Sequence, residues 1–286
     1  GFSLGTMTGG ALAATLLEPY GWRAMFMATA LLNTATFVLV LLFVTESPSF
    51  LIAKAGAGAL EKLNRVFARL GQEPLTQLPE MPEGRKKSRV STLMSTGGAK
   101  STILLWASQF IFAVISYLIL NWKPTVLVNT GLTPTEAGYA GLASGAAGVV
   151  GHIVIGFTSR EGREVSSTAF FFLLLCISLL LFALLPPTPW GLILSAGFTS
   201  FCNVGVFTGL VLIAIALYPP QVRTTSVGVL IGISRLGAIT GPLFGGLLLE
   251  LGFERMGMFV LLAGLSILPI IAMRFVGLPS RQPKAA

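Results

Sequence analysis

Long uninterrupted apolar runs organise this sequence. Eight stretches, at residues 2–17, 24–44, 101–120, 137–157, 168–185, 190–217, 226–249 and 257–273, are hydrophobic throughout or nearly so. A hydrocarbon layer about 30 Å thick is crossed by about 20 apolar residues in a helix. Lipid offers no partner to a free backbone N–H or C=O, so each run predicts a transmembrane helix. The continuity of the runs excludes a β-barrel, whose strands alternate apolar and polar positions in units of about 10 residues. The predicted fold is all-α, a polytopic membrane bundle of about eight helices.

The intervals between the runs predict the rest. Residues 46–100 form the longest, and Leu60, Leu63, Val66, Phe67 and Leu70 share one helical face there, with Lys62, Arg65 and Arg69 on another. That pattern predicts an amphipathic surface helix, followed by a Pro-rich linker at 74–83. Lys and Arg fix the orientation. Intervals 45–100, 158–167 and 218–225, with the tail from 274, hold 15 of the 19, whereas the opposite loops hold Arg23, Lys123 and Arg255. The rich side is expected to be cytoplasmic, which places the C-terminus and the central loop there. The chain opens at Gly1 with no signal peptide, and the expectation is a longer parent.

An internal repeat sharpens the organisation. Shifting by 232 aligns Leu4 with Leu236, Gly5 with Gly237, Thr8 with Thr240 and Gly9 with Gly241. Leu16, Leu17, Glu18 and Arg23 likewise meet Leu248, Leu249, Glu250 and Arg255. Span one thus maps onto span seven, a parallel six-span repeat of the kind that builds one large class of secondary transporters. On this basis residues 1–45 are the last two helices of a first half, 46–100 the cytoplasmic joint, and 101–286 a complete second half. Gly1, Gly5 and Gly9 recur every fourth residue, as do Gly237, Gly241 and Gly245, while span four carries Gly141 and Gly145. Small residues so spaced let helix backbones approach closely in lipid, and span one is expected to pack on span four through these stripes.

Composition narrows the chemistry. Charged residues are 10% of the chain, against about a quarter in a soluble domain. All eleven carboxylates are Glu, so Asp-based metal or phosphoryl-transfer sites find no support. Cys176 and Cys202 lie in apolar runs as small hydrophobes. No catalytic triad, phosphate loop or metal-ligand spacing occurs, so neither an enzyme, a cofactor nor a metal is expected. The net charge of +8 is accounted for by the cytoplasmic loops. The basic run at Arg85, Lys86, Lys87 and Arg89 fits attraction to anionic lipid better than a nucleic-acid partner.

Arg235 is the strongest candidate residue, tenth of 24 in span seven. An arginine at that depth costs about 2.5–3.5 kcal/mol on insertion scales. It is expected to face the bundle interior, a carboxylate or a water-filled path. Two readings stand: a guanidinium that holds an anionic ligand through paired hydrogen bonds, or one bonded to Glu or to backbone carbonyls. Gln109, Tyr117 and Asn121 fall close to one face of span three, and Asn203 is central in span six. These residues either line a shared cavity with Arg235 or bind helices together. His152, the sole histidine, is either a proton relay or a neutral ring bonded to a neighbouring helix.

Four segments resemble the major facilitator superfamily, and most of all its aromatic acid:proton symporter branch. They are Gly21-Trp22-Arg23; Glu46-Ser47-Pro48-Ser49-Phe50-Leu51; Asn121-Trp122-Lys123-Pro124-Thr125 with Gly131; and Tyr218-Pro219-Pro220 through Arg223 and Gly228 to Gly245-Gly246. Ser49 stands where the family commonly has Arg, and Lys123 is unusual in its motif. The resemblance covers essentially the whole chain and places it from the fifth helix to the twelfth. It implies roles in transport for Arg223, at a cytoplasmic gate, and for Arg235, in the substrate path. Arg160, Glu161 and Arg163 fall in the family's second gate loop, where Ser159 replaces the usual Asp and Glu161 or Glu164 are the available substitutes.

The function these readings imply is proton-coupled uptake of small aromatic or related carboxylic acids by alternating access. The protein would act as a monomer in the bacterial inner membrane, with an organic anion and protons as its partners alongside the lipid bilayer. Two alternatives stay open: another carrier of the superfamily, for a sugar, dicarboxylate or drug, and a non-transporting fragment.

Overall fold

The computed structural model describes residues 1–44, 47–48, 51–52, 56, 58–69, 71–79, 90–160 and 162–278. Lys54, Leu70, the basic run at 85–89, Glu161, Arg281, Lys284 and part of the 46–51 segment lie outside them. Nine helices occur among the described residues: α1 Phe2–Phe43, α2 Ala59–Arg69, α3 Val90–Thr96, α4 Ala99–Asn129, α5 Pro134–Thr158, α6 Glu164–Leu184, α7 Pro189–Leu217, α8 Pro220–Glu250 and α9 Arg255–Met273. Seven of them are long and apolar enough to cross a membrane.

The helix α1 accounts for two of the eight predicted spans. Its backbone leaves helical geometry at Gly21, with φ 73° and ψ 177°. That region is essentially closed to residues bearing a Cβ. Pro19, which cannot donate a backbone hydrogen bond, stands just before it. Sequence therefore marks the break between the arms. The remaining spans coincide with α4 to α9. Local chemistry starts several of them. Thr133 and Glu136 form a reciprocal cap on α5: the Thr133 N–H donates to Glu136 Oε2 at 2.8 Å, and the Glu136 N–H to Thr133 Oγ1 at 3.2 Å. Proline occupies the first turn of α5, α7 and α8, where its missing donor costs nothing.

Two compact units make up the chain, residues 1–25 with 88–286, and residues 26–87. In the larger unit α4 packs on α8, α5 on α7, and α6 on α7 and α9. Its core is Leu, Ile and Phe, with Phe112, Phe171, Phe172, Phe182 and Phe259 buried. In the smaller unit α2 has the expected two faces. Leu63 is buried and Val66 and Phe67 half-buried, while Lys62, Arg65 and Arg69 are exposed. The Asn64 side chain fixes the linker after α2, donating to the Leu75 carbonyl at 3.0 Å and accepting from the Leu75 N–H at 2.8 Å.

Three expectations need correction. First, span one does meet span four, but not through Gly1, Gly5 and Gly9, beside which nothing lies within 4 Å. The contact line on α1 is Ser3, Met7, Gly10 and Ala14, against Gly138, Gly141, Gly145 and Gly148 of α5. Steps of three and four between contact residues follow the helical repeat more faithfully than a strict step of four. Second, α4 does not end near 120 but continues through Pro124 to Asn129. Lys123 is thus a helical residue, 9% exposed, and not part of an outer loop. Third, α3 was not expected; it seats Leu93 in the core.

Candidate functional site

The seam between α4 and α8 is where the polar candidates gather. The two helices run parallel, and glycine spacing brings them together. A Cβ at Gly237 would meet Ala113 at 2.4 Å, one at Gly241 the Val114 carbonyl at 2.7 Å, and one at Gly245 the Trp122 ring at 2.4 Å. Trp122 Nε1 donates to the Pro242 carbonyl at 3.0 Å. Close approach of this kind lets short polar groups bridge the helices. Buried Gln109 donates through Nε2 to the Ser234 hydroxyl. Arg235 Nη1 donates to the Tyr117 hydroxyl at 3.2 Å.

Arg235 is the middle residue of α8, about 22 Å from either end at 1.5 Å per residue. It is exposed on the described chain, and no carboxylate among the described residues pairs with it. The expectation of an interior-facing arginine therefore takes a particular form. The guanidinium is exposed beside the α4–α8 seam, oriented by a phenol, with no acid among the described residues to neutralise it. A planar fork held in this way has donors to spare for a carboxylate.

The other candidates divide. Asn203 of α7 donates to the Ser116 hydroxyl of α4 at 2.9 Å, and its Oδ1 is buried without a partner. Gln109 Oε1 is likewise buried and unpartnered. Asn121 makes a local bond only, to the Tyr117 carbonyl at 2.7 Å, and is exposed. The shared face expected for Gln109, Tyr117 and Asn121 is therefore realised for the first two and not for the third. His152 Nδ1 lies 2.8 Å from the Thr208 hydroxyl of α7, the helix-to-helix bond of its second reading.

At the connection between α5 and α6, Arg160 and Arg163 line a cavity of about 470 Å3 together with Phe157, Ser166 and Phe170. Arg223 is half-buried in the first turn of α8, its Nε unpartnered. It lies about 18 Å below Arg235, twelve residues along the same helix. Glu164, at the first residue of α6, is buried and has one unpartnered oxygen. Tyr218, just after α7, is also buried. Its hydroxyl donates to Thr102 Oγ1 at 2.9 Å and its ring covers Gly97. Burial pushes the phenol above its ordinary pKa, opposed by the hydrogen bond with Thr102.

One buried charged residue was not among the sequence candidates. Lys123 of α4 donates to Ser144 of α5 at 2.8 Å and to Ser200 of α7 at 3.1 Å. In sequence the apolar run closes at residue 120, and Lys123 falls beyond it. The signal that α4 continues was the apolar run Val126-Leu127-Val128 beyond it.

Comparison with known proteins gives this geometry a context. The sequence profile of the Major Facilitator Superfamily matches residues 1–194 and again 105–286. A gallate transporter of Pseudomonas putida is 32% identical over 269 residues, 92% of this chain and 59% of its own length. A 4-hydroxybenzoate transporter of Acinetobacter baylyi is 28% identical over 282 residues, 95% of this chain and 60% of its own length. A 3-(3-hydroxy-phenyl)propionate transporter of Escherichia coli is 30% identical over 236 residues, 76% of this chain and 58% of its own length. The chain therefore spans somewhat less than two thirds of the length of these relatives.

Proposed function

Because the chain belongs to the Major Facilitator Superfamily, and so to a class of multi-pass membrane proteins, we propose that this protein carries small aromatic carboxylates across the bacterial inner membrane by alternating access. One observation carries the reading: a guanidinium at mid-membrane depth, hydrogen-bonded to Tyr117 and paired with no described carboxylate. An uncompensated cation there is costly, and an anionic passenger lowers that cost while bound. Tyr117 supplies an aromatic face beside the charge. Gln109 and Asn203 brace α4 against α8 and α7 beside this position. The names of the three relatives, transporters of gallate, 4-hydroxybenzoate and a hydroxyphenylpropionate, favour the same substrate class.

In this reading residues 1–45 belong to one half of the carrier and 101–286 to the other, joined by the cytoplasmic segment 46–100. The halves rock about the site, Arg223, Arg160 and Arg163 belong to the inner gate, and uptake is coupled to protons in a monomer whose C-terminus is cytoplasmic. The test is uptake of labelled 4-hydroxybenzoate by cells expressing the protein at matched membrane levels. Arg235→Ala is expected to abolish uptake, and a protonophore to collapse it in the unmodified protein. Undiminished uptake by Arg235→Ala defeats the site assignment, and inhibition by glucose but not by hydroxybenzoate defeats the substrate class.

A further inference from the structure

Lys123 is placed against the usual behaviour of a lysine in a membrane helix. It stands six residues from the outer end of α4, about 9 Å at 1.5 Å per residue. A flexible stem of four methylenes normally takes an ammonium to the nearer interface. Here it goes the other way. Side chains tilt toward the N-terminus of their helix, which for α4 is the cytoplasmic end, and the ammonium is fastened on that side. Its partners Ser144 and Ser200 are ten and eleven residues from the outer ends of α5 and α7, about 15 and 17 Å deep. Asn203, one turn further along α7, and Tyr117 are each within about one to two helical turns of that depth.

The environment offers hydrogen bonds without compensating charge. Two of the three ammonium donors go to neutral hydroxyls, and no carboxylate among the described residues pairs with the group. The Ser144 hydroxyl in turn donates to the Ala196 carbonyl at 3.3 Å, so Ser144 is oriented to accept from the lysine. Three helices, α4, α5 and α7, thus hold one positive charge inside the second half of the chain. For packing alone, Met or Leu would serve without the cost of burying a cation.

We propose that Lys123 is a specificity-determining residue for anions: its ammonium, held by the two serines, adds to the pull of Arg235 on a substrate carboxylate from the α5–α7 side of α4. This rests on the transport reading above and adds a second cation to it. A unit charge on the order of 10 Å away, at an effective dielectric of about 20, changes affinity about tenfold.

The experiment compares benzoate with benzamide, an uncharged ligand of nearly the same shape, as protectants of the full chain against thermal unfolding in detergent. Lys123→Met is expected to weaken protection by benzoate about tenfold in apparent Kd and to leave benzamide within about twofold. Lys123→Arg, which keeps the charge, recovers most of the loss. If Lys123→Met fails to reach the membrane, Lys123→Gln, which can still donate to the serines, is measured in its place. Unchanged benzoate protection in the neutral variant, or equal loss for both ligands, overturns the proposal and leaves the transport reading standing. Absence of benzoate protection in the unmodified protein overturns both.

Discussion

The seam between α1 and α5 yields the sharpest quantitative expectation. A Cβ built at Gly145 would lie 2.3 Å from the Met7 nitrogen and 2.4 Å from its Cα, whereas ordinary contact begins near 3.4 Å. Both sides are backbone, so neither can rotate aside. Gly145→Ala therefore forces the helices apart by about 1 Å, and a gap of that size forfeits a quarter to a half of each dispersion contact along the line. Overpacking of this kind costs about 1–3 kcal/mol, a shift of about 5–150-fold in the docked population. Gly138→Ala, with Ala14 backbone at 2.5 Å, belongs to the same class. Gly141→Ala meets the Gly10 Cα at 3.2 Å and needs a few tenths of an ångström only. Gly5→Ala and Gly9→Ala meet nothing within 4 Å and are expected to be neutral. The assay is the fraction of monodisperse protein surviving a heating series in detergent. Equal damage from Gly9→Ala and Gly145→Ala, or none from Gly145→Ala, would refute the assignment of the contact line.

Further outcomes follow from single contacts. Trp122→Phe removes the donor to the Pro242 carbonyl and is expected to lower stability by about 1 kcal/mol, measured in the same heating series. Tyr218→Phe leaves Thr102 without its donor and costs about 0.5–1.5 kcal/mol. Gly97→Ala costs more, because its Cβ would sit 2.4 Å from the Tyr218 ring. Folding raises the Tyr218 pKa, so ionisation opposes the folded state. The contact is intact below the ordinary tyrosine value of about 10 and weakens as pH rises past it, a change that ultraviolet titration of phenolate detects. Asn64→Ala frees the linker at Leu75 and is expected to speed proteolytic cleavage between residues 71 and 79, read as the rate of fragment appearance.

Hydrophobic length by itself determined the class of this protein, because a bilayer imposes its thickness and its lack of hydrogen-bond partners on any chain that crosses it. Arg235 was legible for the same reason: a charge in the middle of an apolar run is conspicuous without any coordinates. The direction of side chains between helices was not legible. Gly1, Gly5 and Gly9 carry as regular a spacing as Gly237, Gly241 and Gly245, yet among the described residues only the second set faces a partner. Lys123 shows the point most plainly. In sequence it is a cation beside a proline near the end of a run, as fit for an outer loop as for a bundle. Its buried position depends on Ser144 and Ser200, which are 21 and 77 residues away and come within reach only when α5 and α7 pack together beside α4. Periodicity along one helix defines its faces. Which face meets which neighbour is set by close packing among several helices at once.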